Sequence, residues 1–148
     1  ARKPRLQPLR EAVLTALIEN KARPGEVEVL LADDATLKDL NLRMRGVNDA
    51  TDVLTFPADP LWPEALGQIA ISMDFASRGA SARGVTLTEE TAFLALHGAL
   101  HLAGWDDESE EERQKMVAEM NRIAGLTGLS PDEDWASQPH PTGGMDGG

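Results

Sequence analysis

The amino-acid sequence predicts a single small α+β domain in which a small mixed β-sheet is packed with helices. Two observations point there. Apolar patterns follow one another in the order α-β-α-β-β-α-α-α, which suits an α/β or α+β domain with one small sheet, and we assign the chain to the α+β class. One helical segment, near 88–103, is wrapped in apolar side chains over most of its surface, as an internal helix is. A chain of 148 residues is also long enough to bury a real core.

The first element is a helix in "QPLREAVLTALIENKA", where Leu9, Val13, Leu14, Leu17 and Ile18 have amphipathic spacing. "GEVEVLLADD" alternates briefly, is rich in Val and Leu, and reads as a strand near 26–32. A short helix follows, with Asp34 placed to cap it and Gly46 to end it. Two strands come next, near 51–56 and 67–73, the first stopped by Pro57. "MDFASRGASARG" reads as a helix followed by a loop. The helix near 88–103 is the best defined. Thr86 and Glu89 have capping-box spacing, acids fill its first turn, and Gly104 suits its exit. Phe93, Leu94, Leu96, Leu100 and Leu102 wrap most of its surface, so it should lie buried against the sheet. The acidic run from Asp106 starts the last helix. Residues 1–130 form the predicted domain. Residues 131–148, rich in Pro, Gly and acids, read as a tail without a core-forming pattern.

Composition narrows the function. The formal net charge of −11 is uneven: residues 1–50 carry a net +1 and residues 51–148 a net −12. Acidity disfavours general nucleic-acid binding, although Arg43, Arg45, Arg78 and Arg83 could form a local basic face. With no cysteine, disulfides, thiolate catalysis and Cys-ligated metals are excluded. Apolar runs are too short for a membrane span, and the start of the chain lacks a signal-peptide pattern, so cytoplasmic location is the expectation.

Two of only three histidines fall in "HGALHLAGWDD", residues 97–107. His97 and His101, four apart, share a helix face and can address one metal ion. Gly104 turns the chain and Asp107 arrives six residues after His101. Three ligands with a fourth position open is the arrangement of a catalytic site rather than a closed structural one. Imidazoles with a carboxylate suit zinc, and an aspartate leaves room for nickel, manganese or iron. Position 98 is Gly, where metalloproteases of the H-E-x-x-H type need Glu, so that mechanism is excluded.

The same stretch resembles the H-G-x-L-H-L-x-G-Y-D-H signature of the YbeY family of bacterial metal-dependent endoribonucleases. "NLRMRGVNDATDVLTFP" (41–57) is similar to that family's N-x-x-x-R segment and T-D-V-L-S-F-P block, and "LGQIAIS" (66–72) to its L-G-D-I-x-I-S strand. The three blocks stand in the family's order. Four positions differ: Asp107 replaces the third His, Trp105 a Tyr, Gln68 an Asp and Thr55 a Ser. Asp106 matches the family's own Asp, and His140 lies in the tail, which leaves Asp107 as the third candidate ligand beside His97 and His101. An aspartate brings negative charge and makes the ion a weaker Lewis acid.

The resemblance implies a single-strand-specific, metal-dependent endoribonuclease acting in ribosomal RNA maturation, at the 3′ end of the small-subunit rRNA, and in ribosome quality control. It implies one Zn2+, with nickel or another divalent ion as alternatives. Its implied partners are single-stranded rRNA and the small ribosomal subunit or its assembly factors. Arg45 takes the phosphate-clamping role, and Asp52 could orient a ligand or cap a turn. Two other readings stay open: a non-catalytic ribosome-assembly factor with a structural metal, and a metal-dependent hydrolase of another substrate.

Overall fold

The computed structural model describes residues 3–59, 61 and 64–135. Helix α1 (Leu6–Glu19) leads to strand β1 (Glu26–Ala32), helix α2 (Asp34–Arg45), and strands β2 (Val53–Pro57) and β3 (Ala65–Ser72). Helices α3 (Met73–Arg83), α4 (Leu87–Leu102) and α5 (Glu110–Thr127) complete the order. The sheet runs β1-β3-β2, with β1 parallel and β2 antiparallel to the central β3. This is the mixed sheet of an α+β domain. Among the described residues no helix is long and apolar enough to cross a membrane.

Alternation along β2 and β3 divides the interior. Val53, Ile69 and Ile71 belong to the main core with α1, α4 and α5, while Leu54 and Ala70 join Leu37 of α2 in a smaller cluster. Side chains of a strand point alternately to opposite faces, so β3 is covered on both. Helix α4 is buried continuously from Glu90 to Leu100, as an all-round apolar helix must be. Its fully buried Leu96 and Leu100 each contribute about 1.5–3 kcal/mol. The approach to the sheet is close: a Cβ added to Gly98 would meet Ile69 Cγ2 at 2.7 Å. Glycine at 98 is therefore a packing requirement, and it sets how near His97 and His101 stand to the sheet.

Several local expectations change. Asp33, not Asp34, caps α2: its side chain accepts from the Thr36 amide at 2.8 Å, and Asp34 is already helical. Gly46 ends α2 in the left-handed conformation, as expected. Segment 73–84 is helical almost throughout: α3 runs through Gly79 to Arg83, and Gly84 ends it in the left-handed conformation. On α1 the inward stripe uses Ala12 and Ala16 with Leu9, Val13 and Leu17, leaving Leu14 and Ile18 at 48% and 72% exposure. Small residues there let α1 lie against α4, which buries Ala92, Ala95 and Ala99 in the same core. At the start of α4, Thr86 accepts from the Glu89 amide, while Glu89 Oε2 accepts from the Ser130 amide. A true capping box forms instead at Ser109 and Glu112 of α5. The segment after α5 stays packed through Trp135, since Leu129 and Trp135 are core residues at 8% and 3% exposure. His140 lies outside the described residues.

Candidate metal centre

His97 and His101 project from one face of the last two turns of α4. Their Nε2 atoms stand 3.1 Å apart. Asp107, on the loop between α4 and α5, brings its Oδ2 to 3.5 Å from each. Among the described residues these three form the one group of His and carboxylate donors close enough to share an ion. A tetrahedral ion with bonds of about 2.0–2.1 Å spaces its ligand atoms about 3.3–3.4 Å apart. Separations of 3.1, 3.5 and 3.5 Å bracket that edge length, and two imidazoles with one carboxylate are donors that zinc accepts. These donors fit a zinc ion.

The turn that delivers Asp107 depends on Gly104, whose φ of +102° is costly for any residue with a Cβ. Within this turn the Trp105 carbonyl lies 2.9 Å from His101 Nδ1. When Nδ1 carries the proton and donates it there, Nε2 keeps its lone pair for the shared point. Trp105 is anchored in turn, its indole N–H donating to Asn20 Oδ1 at 2.9 Å. Asn20 also donates to Ala16 O and to Glu119 Oε2. Hydrogen bonds from Arg122 hold the Glu119 carboxyl below its ordinary range. On the far side of the loop, Arg113 donates to the carbonyls of Asp107 and Glu108, each at 3.2 Å. Asn20 and Arg113 were not singled out in the sequence, and Trp105 only as the replacement for a Tyr of the family signature.

A cavity of about 700 Å³ opens beside the trio, lined by His97, Asp107, the α5 face bearing Arg113, Met116 and Asn121, and Glu133 to Trp135. Arg45 is not in that lining. It is the half-buried last residue of α2 and is not without partners. Asp52 is buried at 5% exposure, and its Oδ1 accepts from the Val53 amide at 2.8 Å, as a turn-capping carboxylate does. The imagined basic face is divided: Arg43 pairs with Asp39, Arg78 with Asp34, and Arg83 with Glu90 and Asp132. Gln68 has a structural explanation. It faces Glu28 across the parallel β1–β3 register and donates to its carboxylate at 2.7 Å on the exposed side of the sheet.

Known proteins agree with this architecture. A family model described as Endoribonuclease YbeY matches residues 2–127. A Thermus thermophilus protein named Endoribonuclease YbeY is 41% identical over 122 residues, which are 80% of this chain and 88% of that protein. A Gloeobacter violaceus protein of the same name is 40% identical over 123 residues, and the match takes in 76% of this chain but only 61% of that protein's length. Among solved structures, the solution structure of a Thermotoga maritima protein aligns with a TM-score of 0.56 at 27% identity, covering 84% of this chain and 88% of that one. The chain therefore belongs to the YbeY family of endoribonucleases.

Proposed function

We propose that this chain cleaves single-stranded RNA during ribosomal RNA maturation, using one zinc ion held by His97, His101 and Asp107. The observation that carries the reading is the convergence of three donor atoms, 3.1–3.5 Å apart, at the edge of a cavity. Three protein ligands leave a coordination position for substrate, as catalytic sites do and closed structural sites do not. A divalent ion there supplies Lewis acidity toward a phosphate oxygen. The protein's part is to hold the donors rigid: α4 fixes both imidazoles, the Trp105 carbonyl sets the His101 tautomer, and Arg113 pins the backbone carrying Asp107. The family resemblance gives the clamping of the scissile phosphate to Arg45, which stands outside the lining of that cavity, through paired hydrogen bonds that a lysine does not reproduce. Single-stranded RNA is the fitting substrate because its backbone can enter a cleft that a duplex cannot.

Single-turnover cleavage of an end-labelled single-stranded RNA, beside the same RNA in a duplex, tests the reading. Cleavage should be confined to the single strand, vanish with chelator and return with zinc. Arg45→Ala should suppress it strongly at saturating RNA while bound zinc and melting temperature stay unchanged, and Arg45→Lys should recover only part. Chelator-resistant cleavage by the wild type would overturn the metal's role. Full single-turnover cleavage by Arg45→Ala would remove Arg45 from the reaction.

A further inference from the structure

We propose that Trp135, eight residues beyond the end of the family match, is a positioning residue that holds the His97 imidazole in its ligating orientation. This rests on the reading of His97 as a metal ligand. Two rings contact that of His97: the His101 ring, edge-on at 4.6 Å, and the Trp135 indole, tilted at 5.4 Å. His97 and Trp135 both line the 700 Å³ cavity. Removing the indole would join its volume to that space and give the imidazole room to leave its present rotamer. A ligand free to sample other wells must be ordered again each time it binds the ion, which weakens affinity without touching a metal bond.

The indole is itself fixed from several directions. Its N–H donates to the buried Glu90 carboxylate at 3.3 Å, the Arg83 guanidinium lies 5.3 Å over its ring, and Phe93 stacks at 6.0 Å. Arg83 bridges Glu90 at 3.3 Å and Asp132 at 3.2 Å, tying α3, α4 and the post-α5 segment together. Asn121 of α5 clips the same segment by two bonds, accepting from the Asp132 amide at 2.7 Å and donating to its carbonyl at 3.1 Å. Two independent fastenings thus set the ring that sets His97.

The test uses the full chain with Trp135→Ala, Trp135→Leu and Trp135→Phe, and Leu129→Ala as a control that loses buried contacts in the same segment. Two quantities are read: the His97 ring resonances of the metal-free protein by NMR, and zinc affinity by competition with a chromophoric chelator. The Ala and Leu variants should lose the shifted, sharp His97 signals and bind zinc about tenfold or more weakly, the scale of losing an outer support of a ligand. Phe should restore most of both. Leu129→Ala should lose thermal stability while keeping wild-type zinc affinity. Equal weakening by Leu129→Ala, or unchanged His97 resonances in both the Ala and Leu variants, would overturn the proposal. Should Ala fail to fold, Leu carries the comparison, since it keeps an apolar anchor without the ring. A wild type that takes up no zinc would instead defeat the reading of His97 as a ligand, and the metal-free resonances alone would then decide whether Trp135 positions the ring.

Discussion

Alanine at position 98 sets two opposing effects against each other, and the structure says which wins. A Gly to Ala change inside a helix gains about 0.8–1 kcal/mol in propensity. Here the new Cβ would lie 2.7 Å from Ile69 Cγ2 and 3.2 Å from both Cδ1 and Cγ1. Forcing a methyl into a well-packed core costs about 1–3 kcal/mol, so Gly98→Ala should lose up to about 2 kcal/mol overall. Ile69 is fully buried, and Ile69→Ala alone should cost about 2–5 kcal/mol. All three clashing atoms are then gone, so adding Gly98→Ala to that background should stabilise, with a coupling of about 1–3 kcal/mol. Urea unfolding of the two single variants and the double variant measures the cycle. Zinc affinity should follow the same pattern, falling in Gly98→Ala and recovering in the double variant, because His97 and His101 ride on the displaced helix. A stabilised Gly98→Ala in the wild-type background, or additivity within about 0.3 kcal/mol, would refute the packing argument.

Burial pushes the Glu90 carboxyl above its ordinary 4.5, with Arg83 drawing it partly back. A raised carboxyl contributes stability that is fully present below the unfolded value and lost as pH rises through the folded one. Wild-type stability relative to Glu90→Gln should therefore decline as pH rises above 4.5, by denaturant unfolding at several pH values. A difference that stays flat or grows would count against the assignment. Asp107→His replaces a charged donor by a neutral one and should bind zinc at least as tightly as the wild type, while Asp107→Ala should lose about tenfold or more in chelator competition. Gln68→Asp sets a carboxylate against Glu28 across the strand pair and should cost about 0.2–1 kcal/mol. That loss should shrink in salt and leave zinc affinity untouched, as measured by unfolding and titration.

Long periodic signals were legible in the sequence and single contacts were not. The order of elements, the span of β1 and the buried α4 follow from apolar spacing, which many residues share and no one residue decides. The convergence of His97 and His101 was legible because helical geometry alone brings them to one face, while Asp107 reaches them through the turn at Gly104. The choice between Asp33 and Asp34 as cap was not, since adjacent aspartates offer the same chemistry and only the backbone angle separates them. The reason for Gly79 inside α3 was not legible either: a Cβ there would meet the Oε2 of buried Glu90 at 2.7 Å. That explanation requires knowing that an acid is buried eleven residues away. Trp135 was hidden for a similar reason. One aromatic in a run of prolines and acids has no periodicity, and its partners Arg83, Glu90 and His97 come from two other helices.

On the function proposed above, RNA cleavage by this chain depends on one divalent ion held by His97, His101 and Asp107. The most direct test of this dependence titrates zinc into the metal-stripped chain and into His101→Ala, following heat of binding and single-stranded RNA cleavage in the same samples. The expected result is one ion per wild-type chain, cleavage that rises in proportion to bound zinc, and loss of both in His101→Ala. Cleavage that is undiminished in the stripped wild type or in His101→Ala would contradict it.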